Sequence, residues 1–224
     1  SPLLNFACAQ AVRSYVSGDS SASIVVDAAV NYQLGTAWSG GSSDLAVSIT
    51  VGGKTIVKSA SLAPNTTGTL FTFDLSELEA QADAFAMSCT ATAGGKSYSA
   101  SSTLLYLPKN PNGGSVVKMD KQTGGMLVPN SAGTEWQPLF PLGFFTDFTY
   151  LSGNLSALDE MKAMGYVADG SLLKKGGSHI EGASRINVVH PIPPFDNAKS
   201  LKAVLDHMEA LGLWLMYDMR YVRK

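Results

Sequence analysis

A chain of 224 residues with 45% hydrophobic and 15% charged side chains has the apolar content of one large domain or two small ones, which excludes global disorder. Its net charge of −2 gives no basic footprint for nucleic acid or for anionic lipid. No apolar run approaches the roughly 20 residues that a membrane-spanning helix needs, so no membrane insertion is expected.

From the amino end, residues 1–107 are patterned with period two. Segments 6–12 and 24–30 read as strands, and Leu45, Val47, Ile49 and Val51 then alternate with Ala46, Ser48 and Thr50. Gly52-Gly53 turns the chain into a strand at 55–59, as expected of a hairpin. Phe71, Phe73 and Leu75 form a further inward row, with a short helical turn expected at 76–80. Phe85, Met87, Cys89 and Ala91 form another, and Gly94-Gly95 returns the chain through Tyr98 to 104–107. Roughly seven short strands at this spacing predict an immunoglobulin-like β-sandwich over 1–107. Cys8 and Cys89, the only cysteines, both fall in these segments. They read either as a bridge across the sandwich in an oxidising compartment or as two small buried hydrophobes. Neither a CxxC pair nor clustered histidines point to a metal, and no cofactor signature is present.

Pro108-Lys109-Asn110-Pro111-Asn112-Gly113-Gly114 reads as a linker. Segments 116–120 and 126–128 flank Lys121-Gln122-Thr123-Gly124-Gly125, so 108–137 is expected to hold this linker and a small β-hairpin. Next, Leu139-Phe140-Pro141-Leu142-Gly143-Phe144-Phe145 predicts a short strand. Asn154 caps a helix that carries Leu155, Leu158, Met161 and Met164 on one stripe, with Gly165 close after its end. A strand is expected at 186–190, and a helix at 197–211 with Leu201, Val204, Leu205, Met208 and Leu211 on one face and Gly212 ending it. A third strand at 213–217 contains the apolar run Trp214-Leu215-Met216.

Strand, helix, strand, helix, strand predicts a parallel sheet, here the opening of a (β/α)8 barrel that the chain leaves incomplete. The expected fold class is thus multidomain β plus α/β, with the sandwich followed at 138–224 by about three β/α units. Segment 167–185 breaks the pattern, because helix-to-strand connections usually take about 2–6 residues. It reads as an irregular, disordered insertion. A retained intron is an alternative origin, since valine codons begin with the donor dinucleotide.

The chain opens at Ser1 without a methionine, as a secreted protein does after signal removal and as any trimmed chain does. Asn65-Thr66-Thr67 and Asn154-Leu155-Ser156 are acceptor sequons in a secretory protein, although Asn154 is equally explained as a helix cap. With the low lysine content of the first hundred residues, these features lean toward a secreted, extracellular protein.

Phe140-Pro141-Leu142-Gly143-Phe144, preceded by Val117-Lys118-Met119-Asp120-Lys121-Gln122-Thr123-Gly124-Gly125, resembles secreted glycoside hydrolases of the clan with a (β/α)8 barrel behind an N-terminal β-sandwich. Segments 156–165 and 201–218 are similar to that superfamily as well. The resemblance implies two carboxylates acting on either side of a glycosidic bond, at the ends of the fourth and seventh strands. Neither position falls within the three strands expected here, so the resemblance carries over no catalytic residue. It leaves strand-end side chains that would line the cleft. Asp147 follows the first strand, His190 ends the second, and Asp218 and Arg220 follow the third; each could bond sugar hydroxyls. Phe144, Phe145, Phe148 and Tyr150 could offer stacking faces. The bland alternatives are ordinary packing for the aromatics, a local ion pair for Asp218 and Arg220, and a structural role for His190. Pro191-Ile192-Pro193-Pro194 reads as a stiffened loop near the cleft.

The leading expectation is a glycoside hydrolase-like protein that binds carbohydrate, severed before its catalytic strands and inactive alone. The competing expectation is a non-enzymatic carbohydrate- or protein-binding sandwich at the cell surface. A metal-dependent barrel hydrolase would want a His-x-His after the first strand, which is absent. An open barrel edge would favour self-association.

Overall fold

The computed structural model describes residues 1–111, 113, 116–130, 133, 135–139, 148–163, 171–172, 180–181, 186–190 and 198–217. The chain divides into two compact units, Ser1–Gly124 and Gly125–Lys224. Most of the described regular structure is β, in several antiparallel sheets.

The first unit runs through β1 (Leu3–Gln10), β2 (Val12–Arg13), β3 (Tyr15–Val16), β4 (Ser21–Asn31), β5 (Thr36–Ala37) and β6 (Leu45–Val51). It continues through β7 (Lys54–Leu62), β8 (Thr66–Asp74), β9 (Phe85–Ala93), β10 (Lys96–Leu104), β11 (Tyr106–Leu107) and β12 (Lys118–Asp120). Two four-stranded sheets result, ordered β5-β1-β4-β8 and β10-β9-β6-β7. Each segment expected as a strand overlaps one, but 6–12 divides between β1 and β2, 104–107 divides between β10 and β11, and Leu75 falls in a turn. The expected helical turn is a single 3-10 turn, Leu75–Glu77, whose cap Asp74 accepts from the Ser76 amide at 2.8 Å.

Alternation drives this architecture. In β6 the buried set is Leu45, Val47, Ile49 and Val51, and in β9 it is Met87, Cys89, Ala91 and Ala93. Facing them from the other sheet are Leu4, Ile24, Val26 and Ala28, so both inner faces share one core. Each fully buried aliphatic side chain is worth about 1.5–3 kcal/mol relative to an exposed one. Between β6 and β7, Gly52 and Gly53 have φ of 56° and 82°, and Val51 pairs with Lys54 across them. Gly94 and Gly95, at 54° and 74°, connect Ala93 to Lys96 in the same way. Two successive positive φ values make the tight turn whose twist matches its flanking strands, which is why glycine occupies both positions.

The sulfurs of Cys8 on β1 and Cys89 on β9 are bonded, with Cα atoms 6.6 Å apart. Of the two readings open in the sequence, the structure therefore takes the bridge, which ties one sheet to the other. Short strands complete the unit: β11 runs parallel to β3, and β12 pairs antiparallel with β2. Lys118–Asp120 thereby belongs to the body of the first unit.

The second unit holds β13 (Met126–Pro129), β14 (Trp136–Leu139), α1 (Phe148–Gly153), α2 (Ser156–Ala163), β15 (Ser171–Leu172), β16 (Ile180–Glu181), β17 (Ile186–His190), α3 (Ala198–Leu211) and β18 (Trp214–Tyr217). β17 and β18 are parallel, with His190 opposite Tyr217, and α3 connects them. This is one strand-helix-strand unit of the expected kind. Leu151, Leu158, Met161, Val204, Met208 and Leu213 form a buried cluster around the helices.

Three expectations are corrected. Leu139, read as the start of the first parallel strand, instead ends β14, which pairs antiparallel with β13 through Met126–Leu139 and Pro129–Trp136. Only six residues separate these strands, and a connection that short returns a strand antiparallel, since a parallel crossover needs a dozen residues or more. Phe148 and Tyr150, expected in the loop after that strand, lie on α1. Within segment 167–185, β15 and β16 pair antiparallel through Ser171–Glu181 and Leu172–Ile180, a local order not expected of an irregular insertion; the rest of it lies outside the described residues.

The end of α3 rests on the most specific local chemistry of this unit. Gly212 adopts φ 65°, its amide donates to the Glu209 carbonyl at 3.0 Å, and the Leu213 amide donates to the Met208 carbonyl at 2.8 Å. Leu213 and Met208 are both buried in the same cluster, the apolar contact that accompanies this helix ending. A Gly212→Ala substitution places a Cβ in the left-handed region, at a cost of about 1–2 kcal/mol. Amide hydrogen exchange in the last turn of α3 is expected to accelerate by about tenfold; unchanged protection would contradict this account of the helix end.

Candidate functional site

Of the side chains expected at a sugar cleft, Phe144, Phe145, Asp147, Asp218 and Arg220 lie outside the described residues. So does the 191–194 loop. His190 is placed by its backbone at the end of β17, beside β18. Tyr150 lies on α1 with 53% of its surface exposed. Asn154 precedes α2; its Oδ1 accepts from the Ser156 hydroxyl at 2.6 Å and its carbonyl accepts from the Ala157 amide at 3.1 Å. The Asn154 side chain thus bonds the Ser156 hydroxyl rather than a first-turn amide, and only its backbone carbonyl takes part in the helix start. In the same unit the side-chain nitrogens of Gln137 on β14 and Trp214 on β18 are buried without an acceptor among the described residues. His207 on α3 and Asp159 on α2 form a pair at 2.9 Å on the helical surface.

The first unit contains the polar cluster that sequence reading missed. Lys118 on β12 is only 3% exposed and Asp19 is 14% exposed, and Nζ lies 2.5 Å from Oδ2. The same carboxylate oxygen accepts from the Val16 amide at 2.7 Å. Nζ stands 5.7 Å from the centre of the Tyr15 ring, within the range of a cation–π contact. The Tyr15 hydroxyl is clamped on Ser23, accepting from its amide at 2.8 Å and donating to its carbonyl at 3.1 Å. Burial lowers the Lys118 ammonium below the ordinary lysine range, opposed by the hydrogen bond and charge of Asp19. Burial likewise raises the Tyr15 phenol. The available signal was the interruption of an apolar stretch, Val116-Val117-Lys118-Met119, by a cation.

The same unit carries two clefts. One, of about 280 Å³, is lined largely by apolar groups including Val16, Leu107, Pro108 and Val116, with Lys109 and Asn110 at its polar side. The other, of about 150 Å³, brings Arg13, Lys121, Gln10, Ser102 and Thr103 together. The Gln10 carboxamide oxygen accepts from the Leu105 amide at 2.7 Å, which fixes one wall. Nearby, Asp120 accepts from the Thr123 hydroxyl at 2.6 Å and the Gln122 amide at 3.0 Å. These bonds, the Thr123 hydroxyl first, hold its carboxyl below the usual carboxylate range. Neither cleft carries two facing carboxylates. Among the described residues no group of three or more His, Cys, Asp or Glu is placed to hold a metal ion, and no helix is long and apolar enough to cross a membrane.

No protein-family model matches the chain, and no curated protein matches it. Among solved structures, it is similar to a Parabacteroides merdae β-glucuronidase with glycerol in its active site, at 10% identity and a TM-score of 0.31. That alignment covers 95% of this chain and 23% of the other. A second P. merdae β-glucuronidase structure gives 8% identity, a TM-score of 0.30, and coverage of 96% and 24%. A β-glucuronidase from an uncultured Clostridium sp. gives 9%, 0.27, and coverage of 95% and 29%. The chain spans about a quarter of the length of these structures.

Proposed function

We propose that the chain belongs to a secreted glycoside hydrolase-like protein, with a sandwich followed by strand-helix units, and that it engages carbohydrate without cleaving it. The observation that carries this reading is the parallel pair Ile186–His190 and Trp214–Tyr217, joined through α3 and following a disulfide-linked β-sandwich in the chain. That is the order of parts the sequence resemblance implies. The sheet orders β5-β1-β4-β8 and β10-β9-β6-β7 support an immunoglobulin-like sandwich, because the hairpin neighbours β6–β7 and β9–β10 share one sheet while β4 and β8 cross to the other. The further step to a (β/α)8 barrel rests on the single strand-helix-strand unit β17-α3-β18. The cysteine bridge supports an oxidising, extracellular setting.

Glycoside cleavage needs an acid and a nucleophile or base facing each other across the bond. Neither described cleft carries such a pair, and the strand ends that the resemblance names are suited to holding a sugar. Incubated with aryl glycosides, glucuronides among them, the 224-residue chain is expected to release no aglycone, while calorimetric titration with oligosaccharides shows weak, saturable heat. Turnover that persists through purification would overturn the first part. Absence of binding to any member of a broad glycan panel would overturn the second.

A non-enzymatic binding module is the alternative favoured by one observation: the first unit carries its own core, its disulfide, its buried ion pair and a cleft of about 280 Å³. If residues 1–124 bind a glycan or a protein as tightly as the whole chain, this alternative replaces the first.

A further inference from the structure

The chain carries two sequons, at Asn65 and Asn154, and the fold treats them differently. Asn154 is absorbed into a helix start, with its Oδ1 bonded to the hydroxyl of its own sequon's serine. Asn65 stands on the three-residue connection between Leu62 at the end of β7 and Thr66 at the start of β8. Its backbone is pinned: the amide donates to the Ala28 carbonyl at 2.7 Å, and φ is 62°, the left-handed conformation that asparagine tolerates better than most residues. Its side chain is exposed, and among the described residues its carboxamide takes no hydrogen bond. Thr67, the hydroxyl residue of the sequon, is exposed as well. Thr66 carries the local bonding instead, its hydroxyl donating to the Ala63 carbonyl at 2.7 Å. β8 is the last strand in its sheet order, so the site lies at an open edge where a bulky substituent meets no neighbouring strand.

We propose that Asn65 carries an N-linked glycan. The inference rests on the secretory reading above and concerns the acceptor site itself. In the transfer, Asn65 Nδ2 attacks C1 of an oligosaccharide carried on a lipid pyrophosphate. The C1–N bond forms as the C1–O bond to the pyrophosphate breaks. The lipid pyrophosphate leaves with the electron pair, and Nδ2 gives up one proton. The fold contributes retention. A glycan on this nitrogen displaces no hydrogen bond of the described structure, buries no carbohydrate and leaves the Asn65 amide on Ala28, so the modified chain folds as the unmodified one does.

The test is to direct the full chain through the secretory route of a eukaryotic host behind a foreign signal peptide. This separates acceptor competence from the protein's own location. The secreted product is digested, treated with a peptide N-glycosidase in heavy-oxygen water and mapped by mass spectrometry. The expected result is heavy-oxygen aspartate at position 65, with loss of that mark and of one glycan's mass in both Asn65→Gln and Thr67→Ala. Thr67→Ala leaves the left-handed residue in place, so its result is free of any folding defect at position 65. An unmodified position 65 in secreted wild-type protein, or a glycan mass that persists in both variants with no mark at 65, would overturn the proposal. The secretory reading fails separately, if the natural host retains the protein inside the cell.

Discussion

Replacing both Cys8 and Cys89 by alanine is expected to lower the unfolding free energy of the first unit by about 4 kcal/mol. The bridge closes a loop with a sequence separation of 81 residues. In the chain-entropy account a loop of that length confines the unfolded ensemble by about 4.5 kcal/mol, and removing native bridges typically costs about 2–5 kcal/mol. Cys89 is fully buried between Met87 and Ala91, so the alanine variant also loses packing in the core. Guanidinium unfolding of oxidised wild type and of the double variant, followed through the buried Trp38, gives the difference directly. Coincident midpoints at equal slope would mean that the bridge does not hold the sheets together.

Lys118→Met is expected to cost about 3–5 kcal/mol, because it leaves the Asp19 carboxylate nearly buried with its cation gone. The sign of the paired change separates charge from packing. Asp19 Oδ2 accepts from the Val16 amide as well as from Lys118. Asp19→Asn keeps an oxygen for that amide while removing the charge. Adding Asp19→Asn to Lys118→Met is therefore expected to recover most of the loss, a non-additive result because the two sites share one interaction. If Lys118→Met alone lowers stability by less than about 1 kcal/mol, or if the second change deepens the loss, the pair is not the compensated buried charge described here.

The sandwich was legible because its strands follow a single rule. Leu45, Val47, Ile49 and Val51 all face inward, and the two glycine pairs stand where hairpin twist demands positive φ. At β12 the same rule points the wrong way: alternation would bury Val117 and Met119, yet these are 44% and 49% exposed while Lys118 turns inward. The inversion needs Asp19, almost a hundred residues earlier in the chain, and local patterning has no access to a partner at that distance. Leu139 was misread for a related reason. Its apolar run fits either a parallel or an antiparallel strand, and only the nearness of Met126–Pro129 decides between them. The α1 helix went unseen because Phe148, Thr149 and Tyr150 all favour strands. As for the candidate site, the helix start just after Asn154 is local chemistry and could be read locally. A cleft built from the ends of separate strands is assembled only by the fold.

The sulfur bridge also governs how the chain returns after it opens. Between Cys8 and Cys89 lie β4, β6, β7 and β8, and the bond joins β1 of one sheet to β9 of the other. It survives the loss of the sheets, so an oxidised chain that unfolds keeps β1 and β9 tethered and searches fewer arrangements on its way back.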